Sequence, residues 1–343
     1  MALHLPASMS RAWRAGLPLV VSVALCAACG SAGATDPRGT PVSTIQLVAA
    51  LPALDAAREG RYEAWVADPS GALYSLGRFS AGGTLTFASP ISVVDEVEIT
   101  VEPPGDVDAR PSAQVLLHGV VRGGAAELTY QGAVTQGDLA LRAQPGQFTM
   151  FTPSDNAVSG YPSHENAGVW LFNMAPAETP QRDYYVRMAQ LQAGWTYEGW
   201  MVRDIDTPNA IWLSYGKFVP DWTGALNQPD DTGWGPFSGV TDFRNAGLED
   251  FPGDDWISNP LNLPWRADLP LPLDLREKDA AGKLRWSHVI TIEPAFDRGE
   301  ALTTERPFFM RPYVDPFGDL PAGAARTVTL HLATMPAGSV TTR

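Results

Sequence analysis

A five-residue pattern occurs twice in this chain, and this internal repeat constrains the possible fold more than any other feature. Residues Tyr62 to Val66, Tyr-Glu-Ala-Trp-Val, recur at Tyr197 to Met201 as Tyr-Glu-Gly-Trp-Met. Each copy is followed by a glycine, a basic residue and a phenylalanine, and later by an Ile-Thr-(Val/Ile)-Glu-Pro segment. Self-similar segments in the same order indicate a duplicated structural unit. The sequence therefore predicts two similar domains in series.

The segments around both copies are short, alternate apolar and polar residues, and are separated by turn residues. The chain has 32 glycines and 30 prolines among 343 residues, which favours short strands joined by many turns. No amphipathic stretch is long enough to connect parallel strands. We predict an all-β protein with two tandem antiparallel β-sandwich domains, at 44–143 and 144–338. The last strand of the second domain is predicted at 326–333.

The second copy contains a long insertion, at about 219–283, in the connection that precedes its Ile-Thr-Ile-Glu-Pro segment. Its aromatic and acidic residues suit carbohydrate or cationic ligands, because rings stack on sugar or cationic faces and carboxylates accept hydrogen bonds. The predicted ligand-binding residues are Trp222, Trp234, Trp256, Asp254 and Asp255. In the alternative interpretation the tryptophans cap the open edge of the second sandwich.

The acidic segment 249–255 within this insertion could also hold Ca²⁺ through its carboxylate oxygens, although it lacks the alternating spacing of an EF-hand loop. No other cofactor is predicted. The five histidines are scattered, and no pair has metal-ligand spacing on one element, so no metal site is predicted from histidine.

The N-terminal 28 residues have the composition of a secretory signal peptide. Arg11 and Arg14 precede an apolar run at 16–28, which is too short to span a bilayer as a helix. Cys29 follows two alanines and precedes Gly30, an arrangement that resembles the bacterial lipobox, although Cys26 stands where that motif prefers leucine. We predict lipidation of Cys29 and a flexible tether at 29–43. Cleavage without lipidation, which gives a secreted product, is the alternative.

The formal net charge of −14 bears on the possible partners. An acidic protein repels phosphate backbones and anionic lipid headgroups, which argues against nucleic acid and against membrane contact other than through the lipid anchor. Both cysteines lie in the first thirty residues, so the rest of the chain has no internal disulfide and no thiolate metal site.

The repeated residues themselves are expected to be structural. Trp65 and Trp200 occupy equivalent strand positions and are predicted to be core residues. Glu63 and Glu198 lie two positions earlier, so strand alternation places them on the same face, near a strand end where their carboxylates reach water.

The repeated segments resemble the extracytoplasmic C-terminal domain of anti-sigma-K factors. The resemblance covers about two thirds of the chain after the signal, through core and turn residues. The matching stretches are Leu51-Pro52, 62–66, 77–79, 97–103 and 111–119 in the first copy and 197–201, 216–218 and 290–294 in the second. The resemblance implies a sensor-type domain of the cell envelope. The chain lacks the sigma-binding helical segment, the zinc motif and the membrane-spanning helix of those regulators, so direct contact with a sigma factor is not expected.

These observations lead to the hypothesis of a non-enzymatic lipoprotein of the bacterial cell envelope, periplasmic or on the outer surface. Its tandem sandwiches would bind or sense an envelope protein or glycan through the insertion. Two alternatives stay open. One is a carbohydrate-active hydrolase that uses the carboxylates of the insertion, and the other is a structural spacer of the cell surface.

Overall fold

The computed structural model describes residues 43–139, 146–152, 165–171, 188–220, 252–259, 262, 265–296, 298 and 306–343. The regular structure of these residues is a set of β-strands and a single-turn 3-10 helix at Leu332–Thr334. The strands are β1 Ser43–Ala49, β2 Arg61–Ala67, β3 Leu73–Phe79, β4 Gly83–Ser89, β5 Glu96–Glu102, β6 Val115–Val120, β7 Ala125–Thr129, β8 Gly146–Phe148, β9 Gly168–Trp170, β10 Trp195–Arg203, β11 Ile211–Phe218, β12 Gly253–Asp255, β13 Trp286–Pro294, β14 Tyr313–Pro316, β15 Arg326–Val328 and β16 Ala337–Thr342. The predicted all-β class is confirmed.

The largest sheet contains eight strands in the order β3-β2-β5-β6-β7-β16-β1-β4. All of its pairings are antiparallel. The two edge strands, β3 and β4, come close to each other, and the rings of Phe79 and Phe87 lie 5.9 Å apart. The sheet is therefore nearly closed into a barrel, which leaves little open edge.

Strand alternation explains which face of this sheet points inward. Along β2, Tyr62, Ala64 and Val66 belong to the main hydrophobic core. Val97, Ile99 and Val101 of β5 belong to the same core. Because successive side chains point to opposite faces, the residues between them, among them Glu63, Trp65 and Glu98, lie on the other face, which is called the outer face below.

A four-stranded antiparallel sheet has the order β11-β10-β13-β14. All nine residues of β13 are buried, and its edge strand β11 is buried at seven of eight positions. Both faces of this sheet are thus covered. Two-stranded pairs, β12 with β9 and β15 with β8, complete the described strands.

The predicted final strand at 326–333 is wrong in its extent and in its position in the chain. β15 ends at Val328, the 3-10 helix follows, and the last strand is β16, which pairs with both β1 and β7 of the first sheet. The small residues Ala337, Gly338 and Ser339 give β16 a weak strand signal. Gly338 is required by packing, because a Cβ there would lie 2.9 Å from the carbonyl oxygen of Val48.

All described residues belong to one compact unit, and one main core contains residues from both repeats. Several hydrogen bonds connect the two repeats, and two of them lie beside the repeated strands. Gln114 Nε2 donates to the carbonyl oxygen of Gly194 at 3.1 Å, and Trp195 Nε1 donates to that of Val115 at 3.0 Å. The division into two sandwich domains at residue 143 stays a prediction.

The predicted signal peptide, Cys29 and most of the tether lie outside the described residues. Among the described residues, no helix has the length and apolar character needed to cross a bilayer.

Candidate functional site

The two sequence repeats form the same strand arrangement with the same register. We call β2, β3, β5 and β6 the first copy, and β10, β11, β13 and β14 the second copy. Trp65 pairs with Ser75 on one side and Glu98 on the other, and Trp200 pairs with Ser214 and Val289. Because the registers are the same, each paired residue of one copy has an equivalent residue in the other. The duplicated frame therefore serves as an internal comparison for every side chain.

Both copies also contain a β-bulge at the same place. The register shifts between Ala64 and Trp65 in the first copy and between Gly199 and Trp200 in the second. Opposite each shift lies a glycine with positive φ, 129° at Gly77 and 116° at Gly216, a backbone conformation that glycine adopts without steric cost. The repeated glycine of the Gly-basic-Phe triplet is thus a bulge residue.

Buried polar side chains tie the strands together on the outer face of the first copy. Trp65 Nε1 donates to Thr100 Oγ1 at 3.0 Å, and Ser75 Oγ donates to Glu63 Oε1 at 2.5 Å. Arg78 Nε donates to Glu63 Oε2 at 2.7 Å and also pairs with Asp106. Glu63 is therefore buried and engaged, and the expectation that its carboxylate reaches water is wrong. The reason is that donors from β3 surround it.

The second copy repeats these contacts. Trp200 Nε1 donates to Thr291 Oγ1 at 2.9 Å, and Ser214 Oγ donates to Glu198 Oε1 at 2.7 Å. Glu198 is 1% exposed, so it too does not reach water. Both tryptophans are buried, but neither belongs to the main core: Trp65 lies on the outer face of the first sheet, and Trp200 packs in a separate cluster with Val202, Trp212 and Val289.

The glutamates at the ends of β5 and β13 are anchors for the connections that follow them. Glu102 Oε1 accepts a hydrogen bond from the backbone N–H of Ser112 at 3.2 Å. Burial raises its pKa, and the charge of Glu63 raises it further. Glu293 accepts the backbone N–H of Phe308 at 2.8 Å and pairs with Arg298 at 3.2 Å, with side chains 0% and 2% exposed. These carboxylates hold loops in place.

The main core of the second copy contains a polar pair that the first copy does not have. Tyr215 Oη lies 2.9 Å from His288 Nε2, and the two rings stack 5.8 Å apart. Phe148 also packs against His288, with the centroids of the two rings 4.3 Å apart. Burial lowers the pKa of His288 to about 3. This histidine is neutral in the folded protein.

A cluster of potential metal ligands lies on the outer face of the first copy, next to Trp65. Glu96, Glu98 and His118 each place one ligand atom so that all three atoms lie within 4.8 Å of one another. His118 Nε2 is 3.4 Å from Glu96 Oε2. All three residues are partly exposed. Burial raises the pKa of Glu98, with a further increase from Glu96 and a decrease from His118.

Sequence reasoning missed this cluster because its members are neighbours only through strand pairing. Glu98 and His118 are direct cross-strand partners in β5 and β6, and Glu96 is two residues from Glu98. The signal available from sequence was an alternating Glu-x-Glu on one predicted strand and a histidine on the next. Without the register, that signal does not show whether the histidine faces the carboxylates or the opposite side.

The described residues among those predicted to bind a ligand through the insertion are buried and do not line an open site. Trp256 is 1% exposed and belongs to the main core. Asp254 and Asp255 lie in β12, which pairs with β9, and are 1% and 0% exposed. Trp222 and Trp234 lie outside the described residues. The ligand-binding role of these five residues stays a prediction.

Comparisons with protein families, with curated protein sequences and with solved structures find no match to this chain.

Proposed function

We propose that this chain is a non-enzymatic binding or sensing module of the bacterial cell envelope, held at the membrane by a lipid on Cys29. The resemblance to the extracytoplasmic domain of anti-sigma-K factors and the lipobox-like segment support the location. The partner is an envelope protein or a glycan, and the acidic surface disfavours nucleic acid.

One observation carries the binding part of the proposal. The two copies share the residues that build the frame, such as Trp65 and Trp200 with their threonine partners, but differ on the outer face. At equivalent positions, Glu98 of the first copy is partly exposed and Val289 of the second is buried. A constant frame with a variable surface is typical of modules whose function lies in what they display.

The location is tested by replacing the predicted lipidation site. Wild type and Cys29→Ser are expressed in a bacterial host, and membrane and soluble fractions are compared. We expect the wild type in the membrane fraction and the variant in the soluble fraction, because the proposed anchor is the lipid on Cys29. Recovery of both proteins in the soluble fraction would contradict the anchor and favour the secreted alternative.

The binding role is tested with the purified chain, immobilised and offered detergent-solubilised envelope proteins and a glycan panel. A Trp222→Ala, Trp234→Ala variant tests the predicted contact residues, and Trp256→Ala serves as a folding control because Trp256 is a core residue. We expect saturable retention by wild type, reduced retention by the double variant, and lower thermal stability in the folding control. Release of shortened glycans, lost in Asp254→Asn, would favour the hydrolase instead.

A further inference from the structure

We propose that Glu96, Glu98 and His118 form a binding site for a divalent transition-metal ion, with zinc as the reference ion. The site lies on the outer face of the first copy. This inference does not depend on the envelope location or on the binding role proposed above, since it concerns the purified chain alone.

The backbone holds the three ligands on one face without any loop. Glu96 and Glu98 are two residues apart in β5, and His118 lies directly across from Glu98 in β6. β5 is an interior strand, paired with β2 on its other side. Because side chains alternate with a period of two, all three point to the same side, and the paired strands restrict their relative movement.

The distances agree with coordination of one small ion. Two ligands on a tetrahedral zinc ion, with bonds of about 2.0–2.2 Å, are separated by roughly 3.4 Å. His118 Nε2 and Glu96 Oε2 are 3.4 Å apart. The ligand atom of Glu98 lies within 4.8 Å of the other two, so a small side-chain rotation completes a three-ligand set.

The local charges favour a cation. Two carboxylates lie on the same face of β5, and His118 Nε2 lies 3.4 Å from the Glu96 carboxylate. Within the described residues, no donor hydrogen-bonds to Glu98, although Glu98 is partly buried. The two carboxylates repel each other, the carboxylate of Glu98 is also partly desolvated, and a bound divalent ion reduces both costs.

The second copy shows that the frame does not need these residues. By the common register, Ser287, Val289 and Val314 occupy the positions of Glu96, Glu98 and His118. Val289 packs with Trp200 in a small apolar cluster, joined by Val314. The same strand arrangement thus forms with uncharged side chains at these positions. The fold of the first copy therefore does not require Glu96, Glu98 and His118.

The ligand types select the class of ion. One imidazole nitrogen with two carboxylates suits zinc, cobalt(II), nickel(II) or manganese(II). Calcium prefers six to eight oxygen ligands, and magnesium demands near-octahedral oxygen coordination, so neither fits this set well. Three protein ligands leave a coordination position for water or for a group of a binding partner.

The test measures metal binding by the purified full chain without a histidine tag, in a Cys26→Ser, Cys29→Ser background, because thiolates bind zinc themselves. Isothermal titration with zinc gives stoichiometry and Kd, and cobalt(II) absorption reports coordination geometry. We expect one ion per chain. The Kd should rise by about tenfold or more in His118→Gln and in Glu98→Gln, because each variant removes a ligand.

The triple variant Glu96→Ser, Glu98→Val, His118→Val installs the residues of the second copy. It should fold, as judged by circular dichroism in EDTA, and should lose zinc binding and the zinc-dependent rise in Tm. His331→Gln, which removes an exposed histidine elsewhere, should bind as wild type does. Unchanged affinity in the triple variant, or no saturation of wild type below about 1 mM zinc, would overturn the proposal.

Discussion

At the residue scale, the most informative comparison is between His288 and Val97, which occupy the same position in the two copies. Val97 is an ordinary core residue, whereas His288 places an imidazole in the main core and bonds to Tyr215. A buried neutral histidine makes stability depend on pH, because the unfolded chain binds a proton that the folded chain excludes.

The sign and the pH range of this effect follow from the pKa values. The pKa of His288 falls from 6.5 in the unfolded chain to about 3 in the folded protein. Its contribution to stability is therefore complete above pH 6.5 and decreases as the pH falls toward 3, by about 1.4 kcal/mol per pH unit.

We predict that His288→Val removes this part of the pH dependence. Urea unfolding at pH 4, 5, 6 and 7 should give a free energy of unfolding that falls less steeply with decreasing pH in the variant than in the wild type. Subtracting the two curves cancels contributions from carboxylates with raised pKa, such as Glu102. Parallel curves would show that His288 is protonated in the folded protein as easily as in the unfolded chain.

At the scale of elements, the bulged strand pairs β2–β3 and β10–β11 differ at two positions whose side chains must fit each other. Tyr215 replaces Leu76 in the bulge, and Gly199 replaces Ala64 on the paired strand. A Cβ at position 199 would lie 1.7 Å from the Tyr215 ring. The larger side chain on β11 is therefore accommodated because Gly199 on β10 has no side chain.

A double-mutant cycle tests this coupling. Gly199→Ala should destabilise by about 2–3 kcal/mol through overpacking. Adding Tyr215→Leu should restore part of that loss, with a coupling energy of about 1 kcal/mol or more, because the ring that clashes is gone. Ala64→Gly in the first copy is the matched control and should cost only about 1 kcal/mol. Additive effects at 199 and 215 would contradict the assigned packing.

The same elements show what sequence could and could not predict. The strands around Trp65 and Trp200 were predicted because large apolar residues, turn glycines and alternation coincide there. β16 was missed because Gly338 and its small neighbours serve close backbone packing, which leaves no apolar pattern. The cluster around His118 was missed because a contact between β5 and β6 depends on register, and local sequence does not encode register.

At the scale of the whole molecule, the first sheet is completed by the last strand of the chain. β16 lies between β7 and β1, so residues nearly three hundred positions apart in sequence pair in this barrel. The second copy lies between these segments in sequence, and it contacts the first through Gln114 and Trp195. We infer that the described body unfolds as one cooperative unit, because one core and one sheet closure serve both copies.

This inference is tested at Val340, which is 1% exposed in β16. Val340→Asp buries a charge in the barrel and should cost about 4 kcal/mol or more. In native-state hydrogen exchange followed by mass spectrometry, amides of β2 and β5 and amides of β10 and β13 should lose protection by the same amount. Thr341→Ser, an exposed change on the same strand, should leave both sets within about 0.5 kcal/mol of wild type. If β10 and β13 stay protected while β2 and β5 exchange, the copies are independently folded, and the tandem-domain organisation predicted from sequence is the better description.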